Sequence, residues 1–317
     1  MRDDVILVGV DGSTPSLHAL DWAGAEAARR GWSLYLVCSY ALPSFTAASL
    51  DGGYAALDDS AIQEGARAVL AEATARVSHL GVPVRSNVHT GDAAGVLIEL
   101  SHTARLAVVG TRGRGGFADR LLGTVSSALP AHAHCPTVVV PLRDGEGHAL
   151  ADDAEVPPVR PLRRIVVGVD GSEQAERALR YAVREAQAWG AELTAVAGVP
   201  VGSMTGVLAW LPAAVDHEQV LKDMQEGLNV VVDRALLDYP DVVVKRHALD
   251  GTGAELLTEF SVATDLIVLG SRGRGGFAGL LLGSTSQAVL HHARCPVMVV
   301  TNRCDATPER AEEPEGR

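Results

Sequence analysis

Glycines, small hydroxyl side chains and a pair of aspartates are the residues of this chain whose spacing can do chemistry. Gly110-Thr111-Arg112-Gly113-Arg114-Gly115-Gly116 is followed a short way on by Gly123-Thr124-Val125-Ser126. Gly113, Gly115 and Gly116 let the backbone take positive φ and bring N–H groups close to phosphate oxygens. A helix opening at Thr124 and Val125 adds free N–H groups and hydroxyls, which together favour an anion. Loop and helix start can therefore wrap a polyphosphate. Arg112 and Arg114 either add positive charge there or are solvated surface charges. Asp11, in Gly9-Val10-Asp11-Gly12-Ser13, is a candidate to accept from ribose hydroxyls or to help hold a metal, against the plainer reading of a capped Asp-Gly turn.

Each of these features recurs. Gly270-Ser271-Arg272-Gly273-Arg274-Gly275-Gly276 and Gly283-Ser284-Thr285-Ser286 repeat the first loop at a shift of 160 positions, and Gly168-Val169-Asp170-Gly171-Ser172 repeats Gly9 through Ser13 at a shift of 159. Two separated blocks with nearly one shift mean that a whole domain was duplicated. The length of 317 residues agrees with two domains. They are expected over residues 1–142 and 162–301, joined by a Gly-, Pro- and acid-rich linker over 143–161 and followed by a polar tail, expected to be disordered, over 302–317.

These motifs need elements to hold them. In the first half short β-branched runs predict strands near 5–10, 33–39, 83–88, 106–110 and 137–141, and longer runs predict helices near 14–30, 60–80, 93–104 and 121–133. The second half predicts strands near 164–169, 192–198, 242–247, 266–270 and 297–301. Ser13 and Ser172 stand at helix starts, Gly31 and Gly81 at helix stops. Alternating strands and helices imply an α/β fold: two doubly wound, Rossmann-like domains with five-stranded parallel sheets and right-handed crossovers. Such sheets bind ligands beyond the carboxyl ends of their strands, where the repeated motifs lie.

The formal charge of −12 and pI near 5.3 argue against a broad grip on nucleic acid or anionic membrane. No apolar stretch approaches the roughly 20 residues of a membrane span, and the N-terminus runs straight into a strand, so a cytoplasmic protein is expected. Cys38, Cys135, Cys295 and Cys304 have neither zinc nor redox spacing. His132, His134, His291 and His292 read as partners of helix carboxyl ends rather than as metal ligands. GxxxxGK[ST], GxSxG and HExxH are all absent, and the two lysines, Lys222 and Lys245, lie outside the glycine loops.

Gly110-x2-Gly113-x9-Gly123-Thr124 and Gly270-x2-Gly273-x9-Gly283-Ser284 match the phosphate-loop pattern of the ATP-binding branch of the universal stress protein family, and the Val-Gly-Val-Asp-Gly-Ser opening and Cys-Pro ending of each half also resemble that family. The resemblance covers nearly the whole chain, as a tandem-domain member. It implies an adenine nucleotide alpha hydrolase-like fold and ATP as ligand, with Mg²⁺ an optional companion. Asp11 and Asp170 would contact the ribose and adenine side, with the backbone of Gly9 and Gly168 against the nucleotide. Gly110 through Gly116 and Gly270 through Gly276 would line the phosphates, joined by Thr124, Val125, Ser284 and Thr285. It also implies pairing through the last strand of each domain, giving an internal pseudo-dimer or a homodimer.

Ser39-Tyr40-Ala41-Leu42 differs from Gly198-Val199-Pro200-Val201, and Gly91-Asp92-Ala93-Ala94 from Gly251-Thr252-Gly253-Ala254, so the two sites need not bind equally. A nucleotide-dependent regulatory or stress-response protein with little or slow hydrolysis leads. A slow ATPase or nucleotide-dependent transferase, and an adaptor that binds no nucleotide, stand as alternatives. Kinship with electron-transfer flavoproteins or adenylating enzymes rests on fold analogy alone.

Overall fold

Strand formation follows the valine-rich runs, and each such run stops at or just before a turn. The computed structural model describes residues 3–41, 59–111, 113, 122–143, 158–200, 217–274 and 281–304. The first half runs β1 (Val5–Gly9), α1 (Thr14–Arg30), β2 (Ser33–Tyr40), α2 (Asp59–Val77), β3 (Val84–Thr90), α3 (Ala93–Leu100), β4 (Leu106–Gly110), α4 (Thr124–His132) and β5 (Thr137–Val140). The second half repeats it as β6 (Arg164–Gly168), α5 (Glu173–Trp189), β7 (Glu192–Val199), α6 (His217–Ala235), β8 (Val244–Asp250), α7 (Gly253–Phe260), β9 (Leu266–Gly270), α8 (Ser284–His292) and β10 (Val297–Val300).

The serines expected at helix starts cap them: the Ser13 and Ser172 hydroxyls accept from the amides of Ser16 and Ala175 at 3.4 and 3.2 Å. Gly31 and Gly81 take the left-handed conformation, each with φ of +68°. Three helices differ from the sequence expectation, the first being α2, which ends at Val77 and passes into a 3-10 turn over Ser78–Leu80 before Gly81. α3 stops at Leu100, short of 104, because the Ser101 and Thr103 hydroxyls donate to the carbonyls of Ile98 and Leu100 and favour a turn over another helical residue. α4 starts at Thr124, past 121, because Gly123 is its extended N-cap, with φ −80° and ψ 173°. Most of the expected linker and tail, residues 144–157 and 305–317, lies outside the described residues. Asn302, Arg303 and Cys304, at the start of the expected tail, instead form a turn that buries Cys304.

The ten strands form one sheet in the order β3-β2-β1-β4-β5-β10-β9-β6-β7-β8. Pairing is parallel within each half and antiparallel where β5 meets β10, with Val138 opposite Met298. Side chains alternate across each strand. Ile6, Val8, Leu34 and Leu36 face α1 and α2, while Leu7, Val37 and Val109 face α3 and α4. The second half has the same division, so helices cover both faces.

The halves also exchange helix caps. Thr301 Oγ1 and the Arg303 guanidinium donate to the carbonyls of Ala133 and His132 at the end of α4, both at 2.9 Å. Arg143 donates in return to the His291 carbonyl of α8 at 2.6 Å. These are carbonyls that a helix cannot satisfy internally.

Where α1 meets α5, the equivalent residues Glu26 and Glu185 are both buried. Arg30 pairs with each of them, reaching Glu185 at 2.6 Å, and Trp189 Nε1 donates to Glu26 Oε2, also at 2.6 Å. Burial, and then the charge of Glu26, push the Glu185 carboxyl up to about 8 against the pull of Arg30. An acid whose pKa rises on folding holds its proton more tightly in the native state. Its contribution to stability is thus fully present below the ordinary value of 4.5 and is lost as pH climbs from there through about 8. Glu185→Gln is expected to flatten this decline and to raise the urea midpoint at pH 9. Arg30→Met, which leaves buried carboxylate charge uncompensated, is expected to cost about 3–5 kcal/mol. Urea unfolding of both variants across pH checks the pair, and an unchanged slope in Glu185→Gln would remove Glu185 as its source.

Candidate functional site

In the first half a cavity of about 390 Å³ opens at the carboxyl ends of β1, β2 and β4. Gly9, Val10 and Asp11 form one wall, Gly110 and Gly113 the loop side, and Gly123, Thr124, Val125 and Ser126 the start of α4. Val37 and Ser39 of β2 with Ala93 and Leu97 of α3 close the remaining, more apolar side. A strip of backbone and small polar groups therefore faces an apolar slot across one cleft.

Packing at this wall is close, and at Gly110, where the neighbour is backbone, it requires glycine. A Cβ on Gly9 would come within 2.8 Å of Leu97 Cδ1, and one on Gly110 within 2.6 Å of the Pro15 carbonyl oxygen. Gly113 lies flat against the Asp11 carboxylate, where any Cβ would run into Oδ2. The second half keeps these contacts: Gly168 packs on Leu257 at the same 2.8 Å, and Gly273 lies against Asp170 Oδ2.

Both aspartates carry out the turn-capping role of the plainer reading. Asp11 Oδ1 accepts from the Ser13 amide at 3.0 Å and from the Ser13 hydroxyl at 2.6 Å, and Asp170 Oδ1 accepts from the Ser172 amide at 3.0 Å. The glycines that follow, Gly12 and Gly171, have φ of +77° and +74°. The second oxygen is what touches the glycine-rich loop, so one carboxylate joins the turn after the first strand to Gly113 or Gly273 after the fourth.

The loop is pinned at both ends. The amides of Gly123 and Gly283 donate to the carbonyls of Thr111 and Ser271, each at 2.8 Å, and Ser126 Oγ donates to the Thr111 carbonyl at 2.7 Å. Ser286 Oγ donates to the carbonyls of Gly270 and Ser271 at 2.9 and 3.0 Å. Among the described residues no N-cap side chain bonds to the start of α4 or α8, whose N-caps are Gly123 and Gly283. Thr124, Val125, Ser284 and Thr285 thus stand in helix first turns whose amides have no capping side chain, the electrostatic setting that favours an anion.

The two halves differ within this shared frame. Ser271 Oγ and the Arg272 amide donate to Gln174, and the Arg274 amide donates to Asp170 Oδ2 at 2.9 Å. The Arg274 guanidinium rests on the Gly171 carbonyl at 3.3 Å. Ser39 Oγ donates to the Gly91 carbonyl at 2.8 Å, whereas a Cβ at the equivalent Gly198 would meet the Gly251 oxygen and Gly253 nitrogen at 2.9 Å. The loop after β8 has closed onto β7 where the first half keeps a side chain. Arg112, Arg114, Gly115, Gly116, Gly275 and Gly276 lie outside the described residues.

Sequence reasoning missed Leu97 and Gln174, and placed Ser126 and Ser286 in the helix starts without their role as donors to the loop carbonyls. Ser126 and Ser286 share one repeat position, and a common role was discoverable from that. Gln174 stands where the first half has Pro15, a contrast whose meaning depends on the packing of α5 against the loop. Among the described residues no three His, Cys, Asp or Glu side chains come together as a metal site. None of the four cysteines is in a disulfide and all are buried, and burial pushes Cys295 up to about 12.

A doubly wound parallel domain whose fourth strand leads into a glycine-rich loop and a helix start is a Rossmann-like domain, and this chain holds two of them. The chain belongs to the universal stress protein family, whose model matches residues 4–141 and 161–301. It is 35% identical over 302 residues to universal stress protein Rv2005c of Mycobacterium tuberculosis, covering 93% of this chain and 96% of the relative. Universal stress protein Rv2623 of the same organism is 33% identical over 309 residues, covering 93% and 95%. The crystal structure of a universal stress protein from Archaeoglobus fulgidus superposes with a TM-score of 0.65 at 22% identity, covering 95% of this chain and 99% of the other. That likeness shows the tandem fold.

The glycine–aspartate contact gives a direct test. Gly273→Ala is expected to lower stability by about 1–3 kcal/mol through overpacking against Asp170. Adding Asp170→Ala should recover part of that loss, because the clashing oxygen is gone. A double-mutant cycle read by urea unfolding checks this, and strictly additive effects would show that the two residues are not coupled.

Proposed function

We propose that this protein is a cytoplasmic, ATP-binding regulatory protein of the stress response, with little or slow hydrolysis, whose surface or partner choice depends on bound nucleotide. The observation that carries the reading is the 390 Å³ cleft of the first half, in which a glycine-rich loop and an uncapped helix start face an apolar slot. The loop and the amides of Thr124 and Val125 suit phosphates, and the slot between Val37 and Leu97 suits a flat apolar base. Asp11, already fixed by Ser13, keeps its Oδ2 edge beside Gly113, from which it would orient the ribose side or a phosphate-bound Mg²⁺. The mycobacterial relatives, matched over nearly their whole length, support the family-level role.

In the reading proposed, the second half supplies an equivalent site from Gly168, Asp170, Gly270, Gly273, Gly283, Ser284 and Thr285. The halves act as an internal pseudo-dimer, since β5 and β10 already pair with each other.

Gly123→Asp separates binding from folding. Gly123 has an extended backbone that accepts any residue, and Asp is as good an N-cap as Gly or better by a few tenths of a kcal/mol. Its carboxylate would take the first-turn amides and repel phosphate. The expected outcome is unchanged or slightly raised stability of the full chain with at least about tenfold weaker ATP binding at the first site. Unchanged affinity, or no saturable ATP binding by the wild type in calorimetry and no nucleotide extracted from purified protein, would overturn the reading. Asp11→Asn tests the enzymatic alternative: if a slow ATPase is present and Asp11 positions its metal or nucleophile, turnover falls while binding persists.

A further inference from the structure

Gln174 is the second residue of α5, yet its side chain turns away from its own helix toward the loop after β9. Its Oε1 accepts from the Ser271 hydroxyl at 3.1 Å and from the Arg272 amide at 2.7 Å. The backbone amide can only donate, so the amide oxygen of Gln174 must be the atom that faces the loop. Ser271 and Arg272 open the glycine-rich segment, at the place where the first half offers Thr111 and Arg112. A little further along, the Arg274 amide is held by Asp170 and the Arg274 guanidinium by the Gly171 carbonyl. Loop donors of the second half are thus engaged by protein acceptors.

The first half has no side-chain acceptor at the equivalent position. Its residue at the same repeat position is Pro15, which has no side-chain acceptor and packs its own carbonyl against Gly110. Two halves built on one frame therefore differ at this position in whether a side chain can accept from the loop.

We propose that Gln174 is an internal latch on the second site: its amide oxygen takes the loop donors that a polyphosphate would take, so a nucleotide binds there only by displacing it. The inference rests on the nucleotide reading above. A phosphate oxygen is the stronger acceptor, because it is charged, so the latch weakens the second site without abolishing it. The first site fills at low nucleotide concentration and the second only at higher concentration, which gives one chain two thresholds. Gln174 touches the loop and not the reacting atoms of any chemistry; it sets affinity.

The test uses the full chain and ATP in calorimetric titration. Wild-type protein is expected to show one tighter and one weaker site. In a Gly123→Asp background, which leaves the second site as the one read, Gln174→Ala is expected to tighten ATP about tenfold. Gln174→Glu, which retains the acceptor and adds charge, is expected to leave that site weak. Conversely, Pro15→Gln in otherwise wild-type protein should weaken the first site. Hydrogen exchange at the Arg272 amide, measured without nucleotide, should speed up in Gln174→Ala, a readout independent of ATP. ATP binding at the second site with the same affinity before and after the Gln174→Ala change would overturn the latch and leave the nucleotide reading standing. Absence of ATP binding in every form, with faster Arg272 exchange in Gln174→Ala, would overturn the nucleotide reading and with it the latch's role, while confirming the contact.

Discussion

The antiparallel pairing of β5 with β10 is the constraint on which the rest of the molecule depends. A parallel sheet of five strands has open edges, and an unpaired strand edge exposes a row of N–H and C=O groups. Here the last strand of each half satisfies the other, through Val138 opposite Met298. The sheet becomes continuous, and the two halves are related by an approximate two-fold axis at that junction. Because every other pairing is parallel, the carboxyl ends of β1 and β4 point opposite to those of β6 and β9. The two sets of glycine motifs consequently lie at opposite ends of one sheet.

The same junction brings side chains together that neither half would need alone. α1 and α5 meet near the axis, so Glu26 encounters its own counterpart Glu185, and Arg30 and Trp189 complete a buried group that contains one cation and two carboxyls. Such a cluster is a poor source of stability compared with an apolar equivalent, but it penalises any arrangement that leaves one member unpaired. The exchanged helix caps act in the same sense. Arg143 and Arg303, equivalent in the repeat, each cross to the other half and satisfy helix carbonyls there. Separation of the halves would break the Arg30–Glu185 and Trp189–Glu26 contacts and uncover the helix-end carbonyls together.

Within each half, glycine allows backbone to lie against side chain at the ends of the first and fourth strands, and in the first half a cleft opens there. Asp11 on Gly113 and Asp170 on Gly273 are contacts that a methyl group would disrupt, and Leu97 on Gly9 and Leu257 on Gly168 are contacts whose leucine ends would have to move aside. They draw the turn after the first strand, the loop after the fourth and the start of the following helix around one volume. Differences between the halves are then expressed on a constant frame: a side chain at Ser39 against a closed backbone at Gly198, and a proline at 15 against a glutamine at 174.

Much of this was legible in the amino-acid sequence, because it is encoded locally or by repetition. The duplication, the alternation of strands and helices, the serine caps and the glycine stops follow from residue type and spacing, and so does the coincidence of the glycine motifs with strand ends. The length of α3 was not legible, since Ser101 and Thr103 act through hydroxyl contacts that compete with helical amides. The double duty of Asp11 and Asp170 was only half visible: the Asp-Gly turn is local, whereas the contact with Gly113 or Gly273 joins residues from different strands. Above all, tertiary structure decided which side chains cross the duplicated frame. Glu26 meets Glu185, and Gln174 reaches Ser271 from 97 positions away in the chain, because helix packing across the sheet places them there. Spacing along a sequence carries information about neighbours in a turn or helix; it carries none about which of two equivalent helices turns a polar side chain into a loop that packs beside it.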